Sequence, residues 1–340
     1  MTIKKKKSPF SPIAITLSFL VFLVPLILLV LRLLSFQSPQ TSPIPTNPSK
    51  PPTKSSFSTL MSHPRPTTQN SQLTTLIAVG DIMLGRYCNV QMIKNKDWRF
   101  LFLKTADLTQ SVDITFGNLE SPIVENCPST STGMIFCARP ESIEGLKFAG
   151  FDILSVANNH ILNYGQKGLE QTVDLLAKNN IFPSQDNKIT RYQVNNVIFD
   201  FLSFDLISNP LTNLSDRKFL SMAKLISSEA ENVDILIVSL HWGNEYQKTP
   251  TEQQKQLAHQ IIDSGAKVII GHHPHVTQPV ESYHDGLIFY SLGNFVFDQP
   301  WSEETKKGKI AEILFEGKNI KSYELTPIYI QNYCQPQSLQ

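Results

Sequence analysis

The sequence predicts an α/β domain, and two patterns carry that prediction. Short, nearly continuous runs of Val, Ile, Leu and Phe alternate with longer stretches of helical periodicity. Six of seven such runs then stop at a small cluster of Gly, Asp, Asn, Glu or His. In chain order the strand candidates are Thr74–Val79, Val112–Phe116, Ile153–Ala157, Val197–Phe204, Ile235–Leu240, Val268–Ile270 and Leu287–Ser291. Helical patterns fill Gly168–Asn179, Phe219–Glu229 and Thr251–Ser264. A strand buried on both faces needs apolar side chains at consecutive positions, which is how these runs are written. No segment repeats at a fixed period. The domain is expected over residues 74–330, with a tail at 331–340; about 260 residues suffice for one sizeable core.

Charge is segregated along the chain. Behind the formal net charge of +1, residues 1–80 contain eight Lys and Arg and no Asp or Glu. The remainder therefore carries 22 basic against 29 acidic side chains, a formal −7. That balance excludes the basic body used for non-specific nucleic-acid binding, and no nucleic-acid partner is expected.

Residues 1–12 hold the block Lys4–Lys7 and are expected to be a cytoplasmic basic segment. Residues 13–31 are apolar and uncharged; nineteen residues at ~1.5 Å each span a hydrocarbon core of ~30 Å. The expected arrangement is a single-pass anchor in the cell membrane, N-terminus cytoplasmic and main domain extracytoplasmic. A cleaved signal peptide is the alternative, but its apolar region runs only ~7–15 residues and ends in a small-x-small site. Leu31-Arg-Leu-Leu-Ser-Phe36 offers no Ala for such a site. Residues 32–73, with Pro39, Pro43, Pro45, Pro48, Pro51, Pro52, Pro64 and Pro66, read as a disordered Pro/Ser/Thr-rich linker.

Cys88, Cys127, Cys137 and Cys334 all follow the anchor, as disulfides outside the cytoplasm would. Three pairings are open, of which Cys127–Cys137, closing a short Pro/Ser/Thr/Gly loop, is preferred. No Cys-x-x-Cys spacing suggests structural zinc.

The strand ends are the informative part. Gly80-Asp81, Gly117-Asn118-Leu119-Glu120, Asn158-Asn159-His160, His241-Trp242-Gly243, Gly271-His272-His273-Pro274-His275 and Gly293-Asn294-Phe295 each follow an apolar run. Ligands of open α/β sheets bind where the carboxyl ends of strands meet. Imidazole suits Zn and Fe, while carboxylate and amide oxygens suit Mn and Mg. Two such ions ~3.5–4 Å apart clamp a substrate oxygen and acidify a shared water. Taken singly, Gly80-Asp81 is an ordinary turn, Asn158-Asn159-His160 a helix cap and His241 a core histidine. His63, His259 and His284 are read as structural. Three imidazoles within four residues of a buried strand have no packing rationale, and six coincident clusters favour a metal site.

The runs Val79-Gly-Asp-Ile-Met-Leu-Gly-Arg86, Phe116-Gly-Asn-Leu-Glu-Ser-Pro122, Ala157-Asn-Asn-His160, Leu240-His-Trp-Gly-Asn-Glu-Tyr246, Gly271-His-His-Pro-His275 and Tyr290-Ser-Leu-Gly-Asn-Phe295 resemble the CapA family. These are capsule or poly-γ-glutamate biosynthesis proteins, grouped with calcineurin-like metallophosphoesterases. The motifs run in order over about residues 74–300. The resemblance implies a four-layer α/β/β/α metallophosphoesterase-like sandwich behind the transmembrane helix, holding two divalent ions (Mn, Fe, Zn or Mg). It implies Asp81, Asn118, Glu120, Asn159, His241, His273 and His275 as metal ligands. Asn159 and His160 become the catalytic pair, His160 as general acid. Met83 stands where phosphoesterases carry a ligand His, and Asn118 where they carry a bridging Asp, a role open to Glu120. Both departures resemble the capsule subgroup.

Arg86, Asn158, His272, Glu245 and Asn294 are placed behind the ligands or at the substrate. Glu245 is expected to orient His241. Arg86 has two equal readings, contact with an anionic substrate or a surface salt bridge. Asn163-Tyr164-Gly165 stands where relatives often have Asp-Tyr-Gly, a local change. Two functions remain open. One is a metal-dependent hydrolase acting on an anionic surface polymer. The other is a non-catalytic accessory that holds or transfers the nascent polymer for a membrane synthase complex.

Overall fold

The computed structural model describes residues 73–211, 216–332 and 334–339. The expected basic segment, anchor and linker lie outside those residues. Among the described residues no helix is long and apolar enough to cross a membrane.

Within that span the chain runs β1 (Leu73–Ile82), α1 (Arg86–Asn95), α2 (Ala106–Thr109), β2 (Ile114–Leu119), α3 (Ile143–Phe148), β3 (Ile153–Ser155), α4 (Gly165–Lys178) and β4 (Phe182–Ser184). It continues through β5 (Ile189–Val194), β6 (Val197–Asp205), α5 (Arg217–Ala230), β7 (Ile235–His241), α6 (Glu252–Asp263), β8 (Val268–His272), β9 (Val280–Tyr283) and β10 (Gly286–Phe289). The last strands are β11 (Asn294–Val296), β12 (Lys307–Glu316), β13 (Asn319–Ile330) and β14 (Pro336–Ser338). Each apolar run read as a strand forms one, and each helical pattern forms a helix. Helix α6 starts where its capping box dictates. Thr251 Oγ1 accepts from the Gln254 backbone N–H, while the Gln254 side chain accepts from the Thr251 backbone N–H.

Two mixed sheets result. One has the order β14-β13-β12-β1-β2-β3-β4, with β11 also paired to β1; the other is β5-β6-β7-β8-β10-β9. Strands β1 to β4 are mutually parallel, as are β6, β7, β8 and β10. Side-chain alternation explains why the runs are continuously apolar. Leu76 and Ala78 of β1 face the second sheet, while Ile77 and Val79 face the outer helices. Ile235 and Ile237 of β7 face inward between the sheets, while Leu236, Val238 and Leu240 pack on α5 and α6. The two sheets therefore share one apolar layer, and helices cover the outer face of each. Phe116 stacks on Phe201 across that layer, ring centroids 5.4 Å apart.

Both disulfides form, Cys127–Cys137 and Cys88–Cys334. The second ties α1 to the chain beyond β13. Residues 331–340, set apart by the sequence reading as a tail, thus contribute a crosslink and the strand β14 that pairs with β13.

Replacing Cys88 and Cys334 together by Ser is expected to cost more stability than replacing Cys127 and Cys137. Loop-closure entropy gives about 5 against about 3 kcal/mol for the two loops. Urea unfolding of both double variants measures this, and an equal or larger loss from the short loop contradicts it. Phe116→Ala, which empties the centre of the layer between the sheets, is expected to cost about 3–5 kcal/mol in the same assay.

Candidate metal centre

Strand register brings the candidate ligands together. In the first sheet Asp81 lies opposite Asn118 on one side and Asn294 on the other. In the second sheet His241 of β7 lies opposite His272 of β8. Gly80 allows this crowding: a Cβ there would sit 1.9 Å from the Gly293 carbonyl oxygen, to which the Asp81 N–H donates at 3.0 Å. Beyond β8 the chain turns sharply, with His273 at φ 94° and His275 at φ 57°, left-handed values uncommon for non-glycine residues. That turn folds the imidazoles back over the strand ends.

Asp81 is fully buried at the centre. Its carboxylate accepts from Asn118 Nδ2 (2.9 Å) and the His273 backbone N–H (3.2 Å). The Nδ1 atoms of His272 and His275 each lie 3.3 Å from it. Glu120, also fully buried, has Oε1 3.7 Å from His275 Nε2 and 4.0 Å from His160 Nε2. The two ring nitrogens of His241 face amides, Asn118 Nδ2 at 3.3 Å and Asn159 Oδ1 at 3.0 Å. Asn158 Nδ2 donates to Asn118 Oδ1 (3.1 Å) and the Leu119 carbonyl (2.9 Å), which orients Asn118. Asn294 does the same for His275: its Oδ1 is 3.0 Å from Nδ1, and its Nδ2 donates to Gln299 Oε1 and the Thr305 carbonyl.

The remaining candidates take other places. The Arg86 guanidinium is buried, ion-paired with Asp298, donates to the Gly133 carbonyl (3.1 Å) and lies over Phe136. Glu245 is exposed, and its carboxylate stands with the rings of His273 and His275. Met83 is buried in the core beneath the helices, its sulfur accepting from the Gly85 N–H at 3.0 Å. His259 and His284 lie elsewhere, paired with Glu281 and Asp263.

Sequence reasoning missed Phe136 and underrated Asn163. The Phe136 ring stacks on His160, centroids 4.0 Å apart, and its N–H donates to Asn163 Oδ1 (2.7 Å). The same oxygen lies 3.2 Å from His160 Nδ1. The only sequence signals were the adjoining Cys137 and the three-residue spacing of His160 and Asn163.

The electrostatics suit a cation. Burial works against charge on Asp81, yet His272 and His275 hold its carboxyl well below the usual range. Burial pushes Glu120 well above that range. His275 is depressed by burial but raised more by Glu120 and Asp81, to about 9. Burial and neighbouring His275 push His273 down to about 4, and burial depresses His241 and His160. His241 and His273 are thereby held neutral, the form of imidazole that ligates, whereas His275 is held as a cation and would give up a proton to a metal. Glu120 Oε1, both ring nitrogens of His272 and His273 Nδ1 are buried without a hydrogen-bond partner among the described residues. Orphaned polar atoms of this kind include the acceptors that a divalent ion satisfies, Glu120 Oε1 and one nitrogen of each neutral imidazole. Two triads have ligand atoms within 4.8 Å of one another, Asp81–Glu120–His275 and Glu245–His273–His275.

Comparison with known proteins adds the family. The model of the bacterial capsule synthesis protein PGA_cap matches residues 75–184 and 189–299, which include these candidate ligands. The PGA biosynthesis protein CapA of Bacillus subtilis (strain 168) is 32% identical over 291 residues, 78% of this chain and 74% of that one. The capsule biosynthesis protein CapA of Bacillus anthracis is 32% identical over 286 residues, 77% of this chain and 69% of that one. A phosphatase of Mycoplasma pneumoniae shares the fold, with a TM-score of 0.50 at 15% identity over 76% of this chain and 94% of that one.

A buried, under-satisfied carboxyl is a stability cost retained for another purpose. Glu120→Gln is therefore expected to stabilise the chelator-treated protein by about 1–3 kcal/mol. Thermal melting in EDTA at neutral pH measures it, and a melting temperature at or below that of the parent contradicts it.

Proposed function

The chain belongs to the bacterial capsule synthesis family PGA_cap, and from that membership we propose a membrane-anchored, outward-facing hydrolase. It acts in the synthesis of an anionic surface polymer of the capsule or poly-γ-glutamate type. The observation that carries this reading is the convergence of Asp81, Glu120, His241, His273 and His275 from two sheets, with His160 at their edge. Asp81, Asn118, Glu120, Asn159, His241, His273 and His275 would hold two divalent ions, which supply Lewis-acid polarisation of a substrate oxygen and lower the pKa of water.

His160 moves the proton. Asn163 Oδ1, already accepting the Phe136 N–H, takes the hydrogen on Nδ1, leaving Nε2 free to receive and deliver a proton toward the cluster. Phe136 holds the ring in that orientation and covers it from water. Asn118 and Asn159 orient His241 between them. The Lys4–Lys7 block and apolar residues 13–31 support an anchor, and the Pro-rich 32–73 segment supports a spacer that holds the domain near a membrane synthase.

A second reading, a non-catalytic accessory that holds or passes on the polymer, draws on two residues. Met83 packs into the core where phosphoesterases carry a ligand, and Asn118 is a neutral amide where they carry a carboxylate.

Full-length protein in detergent, examined for bound metal and assayed on phosphomonoester, phosphodiester and γ-glutamyl substrates, separates the two. Hydrolysis predicts close to two metal equivalents and a loss in kcat of about 10²–10⁴ in His160→Ala. Less than about half an equivalent, with turnover indifferent to His160, would leave the accessory reading. Deleting residues 1–31 is expected to move the protein from the membrane pellet to the supernatant; retention in the pellet contradicts the anchor.

A further inference from the structure

We infer that Glu245 is itself a metal ligand, closing an outer, solvent-facing cation position with His273 and His275. It shares His275 with the buried group Asp81, Glu120 and His275. A neutral imidazole has one lone pair to give, so with both positions filled His275 serves the outer ion and the carboxylates of Asp81 and Glu120 hold the inner one. The inference rests on the proposed metal-binding reading of the cluster and adds a ligand to it.

Three observations carry the assignment. The carboxylate of Glu245 and one ring nitrogen each of His273 and His275 lie within 4.8 Å of one another, the spacing a single ion can bridge. His273 is 95% buried, 5% exposed, and its Nδ1 has no hydrogen-bond partner among the described residues. A buried ring nitrogen in that state needs a cation or a donor.

The third observation is the backbone around Glu245. The Trp242 N–H donates to the His272 carbonyl at 3.1 Å, and the Tyr246 N–H donates to the Pro274 carbonyl at 2.8 Å. The loop after β7 is thereby stitched to the histidine turn on both sides of Glu245. Gly243 at φ 84° and Tyr246 at φ 63° supply the left-handed turns that the stitching requires. The backbone that carries Glu245 is thereby fixed beside the histidine turn.

Burial then separates the two positions. The inner triad presents two fully buried carboxylates, whereas the outer presents one exposed carboxylate in contact with solvent. Solvent screening weakens the outer attraction, so the outer ion exchanges and the inner one is retained. Two imidazoles and one carboxylate would also leave coordination positions open on the outer ion.

The test is direct Mn²⁺ binding, read from the EPR signal of free Mn²⁺ during titration of chelator-stripped full-length protein in detergent. The parent is expected to bind Mn²⁺ in a tighter and a weaker class. Glu245→Gln should weaken the weaker class at least tenfold and leave the tighter one within twofold, with Glu245→Asp recovering part of the loss. Parental affinities for both classes in Glu245→Gln would overturn the assignment while leaving the proposed metal centre standing. Loss of the tighter class instead would overturn the outer placement. A parent that binds no Mn²⁺ would remove the metal reading itself, and this inference with it.

Discussion

A charged carboxylate with no exposure to solvent, Asp81, is the constraint around which the rest of the molecule is arranged. An unpaired ion in that position would be prohibitive, so donors and imidazoles gather around it. Asn118 donates from the adjacent strand, His273 from its backbone, and His272 and His275 approach with their rings. These partners come from both sheets, so the sheets must meet in one register for Asp81 to be tolerated. Gly80 permits the approach of Gly293, and the left-handed turn through His273 and His275 completes the shell.

The apolar layer between the sheets sets that register. Phe116 against Phe201 and Phe199 against Phe315 interlock the inner faces, so that a slip of one residue would turn apolar side chains out and Asp81 away from its partners. The outer helices seal the opposite faces. The short disulfide loop extends the same logic to His160. Cys137 fixes the neighbouring Phe136, Phe136 stacks on the imidazole, and Asn163 joins the two through one oxygen. A covalent link between loop residues thus bears on the orientation of the His160 ring.

Much of this was legible from the order of residues. The strands with both faces buried announced themselves as unbroken apolar runs, and their polar ends supplied the candidate ligands. The C-terminal hairpin did not, because β13 is largely exposed and β12 alternates Lys and Glu with its core residues. Helix α1 was hidden for a similar reason: it is polar, begins at Arg86 and follows β1 almost at once. Arg86 illustrates the limit. Sequence offered an anionic substrate or a surface salt bridge, and the fold places it in a buried pair with Asp298, 212 residues away.

The sequence alone determined which residue types stand at the strand ends, the α/β class and the family resemblance, and it favoured the shorter disulfide without excluding the other pairings. Each of these is a local property: periodicity records which faces are buried, and a short loop can close on itself. Tertiary structure decided what crosses between loops. It set Glu245 beside His273 and His275, Phe136 on His160, and Cys334 beside Cys88. Those distances depend on how two sheets align and how far each loop reaches past its strand. Neither quantity is written in any one segment of the chain.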